Sequence, residues 1–178
     1  MPDLSDGVQA AWQIAAAEAV ELRHELLEPL HFFIGICSIE KLLSSRTPEK
    51  LPLAPHVAAA LRSEWDALAP LFAKIGSSPA TLRRAARRAL GRGNYAGDET
   101  RGISRSEASR AAFWRAAELA EKSGASAITL TYLLAALLDD VWGAAATFLA
   151  QRGVDVSALA AAARAVTPPP APSSSHAQ

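Results

Sequence analysis

This chain has almost no sulfur, few aromatic residues and no long charge-free run. Its one cysteine, Cys37, excludes an intramolecular disulfide and a zinc site built on cysteines, and it fits a reducing compartment. Four histidines, His24, His31, His56 and His176, lie far apart, and none has a second ligand one helical turn away, so no metal site and no cofactor are expected. Between Lys122 and Asp139 run 16 uncharged residues, including Ser123, Gly124, Ser126, Thr129 and Thr131. That is shorter and more polar than the roughly 20 apolar residues a bilayer crossing requires. The opening MPDLSDGVQAAW has acids where a secretory leader has bases. A cytoplasmic protein with no membrane segment is expected. The glycine-rich GRGNYAGD lacks the lysine of a phosphate loop, which argues against ATP hydrolysis.

What the chain does have is alanine and leucine. Half of its 178 residues are hydrophobic, enough for a sizeable core, and no stretch alternates apolar with polar as a half-buried strand does, so the expected fold is all α. The first helix is expected over about Val8 to Leu27, with Trp12, Ala15, Ala19, Leu22 and Leu26 on one side and Glu18, Glu21 and Glu25 on the other. A more buried helix follows Pro29. The loop SSRTPEKLPLAPH, with Pro48, Pro52 and Pro55, leads to a helix over His56 to Ile75 that Pro70 is expected to bend or divide. After GSSP a helix runs to Leu90. SRSE, Ser104 to Glu107, reads as a capping box for the next helix, which ends at Gly124. Three further segments, SAITLTYLLAALLDD, GAAATFLAQRG and VSALAAAARAV, bring the number of helices to about eight. The tail TPPPAPSSSHAQ, residues 167–178, has no side chains that could form a core and is expected to be disordered.

The chain repeats itself. A shift of 100 residues aligns AAAEAVELRHELLEPLHFFIGIC with RAAELAEKSGASAITLTYLLAAL, matching Ala16, Ala17, Glu18, Glu21 and Leu30 with identical residues at 116, 117, 118, 121 and 130. A shift of 77 then aligns FAKIGSSPATLRRAARRAL with FLAQRGVDVSALAAAARAV, each with a leucine, Leu82 or Leu159, six residues after a glycine. Two tandem four-helix units in a pseudo-twofold bundle are expected: about 5–91 and 104–166, joined by a linker over 92–103 and together forming one domain over 1–166. Such a pair, each unit with a turn, an isoleucine and a helix close to HLLLALL before acidic residues and GVD, resembles the double Clp N-terminal domain. That module precedes the rings of Clp-type AAA+ unfoldases and also occurs alone. The likeness is strongest over 104–166 and weakest over 46–75, where this chain carries an insertion.

The resemblance implies a binding module, not an enzyme: an adaptor or regulator that receives protein segments or an AAA+ partner. The groove it implies lies at the entries to the second helix of each unit, around Leu30, His31, Leu130 and Thr131, with Phe33 and Leu134 beneath. One branch of the family recognises phosphorylated arginine through a glutamate before the second-helix histidine; Leu30 and Leu130 stand there, and leucine cannot pair with a guanidinium. Ser5 and Ser104 or Ser106 fall near the family's capping hydroxyls, and plain N-caps account for them. Asp139 and Asp140, adjacent on a helix, diverge by about 100° and do not converge on one substrate. The apolar helix stops on these two acids, and the alternative is that they begin the next helix, where its dipole favours them.

Charge supplies the alternative. Residues 1–70 carry ten acids against five bases, residues 71–178 eight against thirteen. Arg83, Arg84, Arg87 and Arg88 form a stripe that could follow phosphates, but Tyr95 is the one aromatic between Phe72 and Phe113, so a solvated face or one docking an acidic segment is favoured over nucleic acid. Trp12, Trp65, Trp114 and Trp142 are expected mostly in the core, with an exposed one serving as a binding anchor.

Overall fold

The computed structural model describes residues 2–44, 54–97, 102–140 and 143–166; the expected tail, Trp142, and parts of the proline loop and the linker lie outside them. The elements in chain order are β1 (Asp3–Leu4), α1 (Asp6–Glu21), β2 (Leu26–Leu27), α2 (Pro29–Ser44), α3 (Pro55–Ile75), α4 (Pro79–Leu90), β3 (Ser104–Arg105), α5 (Glu107–Lys122), β4 (Ala127–Ile128), α6 (Leu130–Asp139), α7 (Ala144–Ala150) and α8 (Val156–Ala165). Eight helices carry the described fold, as the all-α expectation requires, and no single one of them is long and apolar enough to cross a membrane.

Local chemistry sets several boundaries differently from the sequence reading. The first helix stops at Glu21: the Leu22 N–H bonds back to Glu18, Arg23 turns into the left-handed region at φ 59°, and Leu26–Leu27 then extends to pair with β3. Leu22 and Leu26 continue the helical spacing while lying outside the helix. Pro70 neither ends nor divides α3, which runs unbroken to Gly76. Pro70 is exposed, so the Asp66 carbonyl it leaves without a donor faces water, while Leu68, Leu71 and Phe72 clamp the inner side. The cap of α5 is Ser106, which accepts from the Ser109 N–H; Ser104 belongs to β3. The apolar helix α6 stops on its two aspartates as expected, ending at Asp139 with Asp140 as C-cap, and the Asp139 carboxylate pairs with Arg164 of α8.

The two halves superimpose in sequence at a shift of 101, one more than the residue identities suggest. That shift carries β1, α1, β2 and the start of α2 onto β3, α5, β4 and the start of α6. It maps the buried stripe Ala11, Ala15, Ala19 onto Ala112, Ala116, Ala120. The shift of 77 holds for the second parts: Gly76 and Gly153 both take a left-handed conformation, at φ 71° and 75°, before α4 and α8. Each unit lends a strand to the other, β1 pairing with β4 and β2 with β3, both parallel. The pseudo-twofold axis therefore passes between the units, where the mates Trp12 and Phe113 meet edge to face at 5.1 Å with Phe32 against both. The helices α2 and α6, buried on all sides over Pro29–Ile39 and Leu130–Leu138, form the centre of the core.

Candidate functional site

The structure buries all six expected groove residues, in two groups: Leu30, His31 and Phe33 on α2, and Leu130, Thr131 and Leu134 on α6. None offers a surface to a partner in this conformation, because α2 is enclosed chiefly by α1 and α4, and α6 by α5 and α8. Their pairing also changes. At the structural shift Leu30 is the mate of Thr131, His31 of Tyr132, and Leu130 of Pro29. The Thr131 hydroxyl bonds that of Thr129 at 2.9 Å. His31 accepts the Glu28 N–H through Nδ1 at 2.9 Å and meets the His24 ring edge at 4.9 Å, leaving Nε2 without a protein partner. Burial, reinforced by His24, lowers the His31 pKa to about 4, so the ring is neutral at pH 7.

One junction holds a carboxylate that the sequence did not single out. Glu64, on the insertion helix α3 and only 5% exposed, accepts from the Ser5 hydroxyl at 3.0 Å, the Gly7 N–H at 3.0 Å and the Leu130 N–H at 2.9 Å. The donors belong to the N-termini of α1 and α6, where free amides and helix dipoles both favour an anion. Gly7 makes room for it, since a Cβ there would stand 2.6 Å from Glu64 Oε1. Burial nevertheless raises the Glu64 pKa, with the three hydrogen bonds pulling the other way. Cys37 is buried and its thiol is pushed well up by desolvation, which makes it an inert core residue.

The arginine stripe divides into two faces. Arg87 turns to α1, with Nε 2.8 Å from Glu18 and Nη2 2.7 Å from Glu21, and Arg83 lies close enough to act on Glu18 electrostatically. Arg84 and Arg88 point to solvent. The acidic segment that the stripe docks is thus, in part, the chain's own first helix. Elsewhere an open depression of about 340 Å³ runs along α3 and the start of α4, floored by Trp65 and Phe72, which stack at 5.6 Å.

At the axis, one face stays open. The Arg105 guanidinium lies 4.7 Å over the Trp12 ring and 5.0 Å over Phe113, and Arg110 donates to the Arg105 carbonyl at 2.7 Å. One turn along α5 from Arg110 stands Trp114, 65% exposed. Its mate is Gln13, and the mate of Phe113 is Trp12, so the two tryptophans occupy different faces of equivalent helices. Among the described residues no three histidine, cysteine or acidic side chains are placed to hold a metal ion.

Residues 105–178 match the family model described as Clp repeat (R) N-terminal domain. The fold is similar to the Hsp104 N-terminal domain from Candida albicans, with a TM-score of 0.64 at 16% identity over 90% of this chain and 89% of that one. It is also similar to the N-terminal domain of the chaperone ClpD from Arabidopsis thaliana, with a TM-score of 0.58 at 16% identity over 90% and 91%. A protein studied as part of a malarial secretion system gives 0.61 at 16% identity over 92% and 93%. At this identity the likenesses describe the fold. No curated protein matches the chain by sequence.

Proposed function

We propose that this chain, which matches the Clp repeat N-terminal domain model over residues 105–178 and is similar in fold to such domains, is a protein-binding module without chemistry of its own. In this reading it is an adaptor or regulator that presents protein segments to, or docks on, a Clp-type AAA+ unfoldase or its protease in the cytoplasm. The observation that carries the reading is the open aromatic and arginine face at the pseudo-twofold axis. There a half-exposed Trp12, Arg105, Arg110 and an exposed Trp114 crowd together on a fold of this family, and exposed aromatics beside arginine are what protein interfaces use as anchors. Phe32 supports this face from beneath by packing on Trp12 and Phe113, and the six residues expected from the resemblance lie in the core. Leu30→Asp with Leu130→Asp would place charges in the core and report on folding, so that pair is no test of binding.

The test is affinity capture of the tagged chain from its own lysate, with and without a high-salt wash. Retention of an AAA+ unfoldase or its protease after the wash is the expected result. Recovery of nucleic acid alone, released by salt, would overturn it in favour of the exposed Arg84 and Arg88.

A further inference from the structure

We propose that the open face at the pseudo-twofold axis takes a specific class of partner, a short acidic segment carrying an apolar side chain, held by Arg105, Arg110 and Trp114. This deepens the protein-binding reading and rests on it. Three observations define the chemistry. First, two guanidinium groups converge here: Arg110 bonds to the backbone of Arg105, and its charge acts on the Arg105 side chain. No carboxylate among the described residues lies within ion-pair distance of either, whereas Arg87 and Arg164 both have acidic partners. Second, the Arg105 guanidinium is already stacked on Trp12 and Phe113. It is therefore held in place before a partner arrives, with little side-chain freedom left to lose on binding. Third, Trp114 lies one helical turn from Arg110 and 65% exposed, an apolar anchor within reach of the same ligand.

The flanking charges favour a peptide over a nucleic acid. Glu107 and Glu118, both exposed on α5 on either side of the patch, would repel a continuous phosphate backbone. They leave room for one or two carboxylates placed between them. An apolar residue of the partner then covers Trp114 while its acids meet the guanidiniums, a desolvated arrangement in which charge-assisted bonds are strong.

The full chain is titrated by fluorescence anisotropy with a labelled 12-residue helical peptide carrying Asp and Leu one turn apart. Comparison probes are the same peptide with Lys for Asp, and a 15-nucleotide single strand. The acidic peptide should bind, the Lys peptide should bind at least tenfold more weakly, and the oligonucleotide should bind more weakly still. Trp114→Ala and Arg110→Glu should each weaken the acidic peptide by about 30-fold, the loss that a hot-spot residue produces. Both positions are exposed, so circular dichroism should show an unchanged fold. Equal binding of the two peptides, absence of binding, tighter binding of the oligonucleotide, or indifference to both substitutions would overturn the proposal. If the wild-type chain still captures its AAA+ partner in those cases, the location and chemistry of the site fail and the protein-binding reading stands; if the wild-type capture fails as well, both fall.

Discussion

The two inter-repeat junctions are built from equivalent residues and closed in different ways. At the first, the α6 N-terminus presents the Leu130 N–H beside the Ser5 cap and the Gly7 N–H, and Glu64 satisfies all three donors. At the second, the mate of Leu130 is Pro29, which has no N–H to offer. There the Ser109 hydroxyl donates to the Leu27 carbonyl at 2.6 Å and accepts from Ser106 at 3.2 Å, so the junction is closed by short side chains and needs no acid. The difference follows from the insertion: α3 has 21 residues where its counterpart α7 has seven, and the added length carries Glu64 to the first junction. A duplicated fold has thus kept its backbone symmetry while one copy uses a distant helix to satisfy three donors, one of which the other copy lacks because Pro29 stands at that position.

The largest effect that separates the repeats is expected at Gly35 and its mate Ala136. Gly35 lets α2 cross α1 so closely that a Cβ would overlap the Ala11 carbonyl oxygen, backbone that cannot yield. Gly35→Ala should cost about 3 kcal/mol, the upper range for overpacking. The mirror change Ala136→Gly should cost about 1 kcal/mol, the helix propensity difference. Urea unfolding followed by circular dichroism measures both, and equal costs would mean that the two crossings are alike. Next comes Glu64→Ala, which leaves three donors without their acceptor and should cost about 2 kcal/mol. Ser109→Ala at the other junction, which leaves the Leu27 carbonyl with its bond from the Ser106 N–H, should cost about 1 kcal/mol.

The same junctions predict opposed responses to acid. His31 is held at about 4 against an ordinary 6.5, so the folded chain prefers the neutral ring. Its contribution is complete above about pH 6.5 and is lost as pH falls toward 4. Glu64 is held above its ordinary 4.5 by burial, so the folded chain binds that proton more tightly and the burial cost is relieved as pH falls through the folded value. In the wild type the two partly cancel. Glu64→Gln should therefore lose stability more steeply between pH 6.5 and 4 than the wild type, and His31→Gln less steeply. Parallel pH profiles for all three chains would refute the assignment.

Fold class, the number of helices and the duplication were legible because alanine and leucine at helical spacing determine them. The register was not. Alanine-rich helices match almost as well when slid by one residue, so identities favoured a shift of 100, while on the folded helix one residue is a rotation of about 100°. That slip set Trp114 against Ile14 and paired Leu30 with Leu130, and it concealed that Trp12 and Phe113 meet on the axis while Trp114 faces outward. Ser104 and Ser106 were confused for a related reason: both precede Glu107, and only the strand pairing with β2 decides between them. Glu64 had no local signature. Within RSEWD it looks like a surface acid, and its burial is set by donors lying 57 and 66 residues away in sequence.

The smallest expected difference concerns another pair of mates, Arg87 and Arg164. At the shift of 77 they occupy the same position on α4 and α8, yet Arg87 reaches the first helix of its unit, at Glu18 and Glu21, and Arg164 reaches Asp139 at the end of the second. The mate of Glu18 is Leu119, so the second unit has no acid on α5 at that point, and its arginine takes the nearest one available. Both arginines are about a third to two-fifths exposed, where water and salt weaken an ion pair, and each Ala substitution should cost at most about 1 kcal/mol. Arg87→Ala should cost the more of the two, because Glu18 is the better buried acid and its pKa is already raised by desolvation against the opposing charge of Arg87. Adding salt should shrink the Arg164 effect first, because screening is weaker around the more buried pair. If instead Arg87→Ala proves the milder change at every salt concentration, α4 is held in place by its packing on α2 and not by its ion pairs to α1.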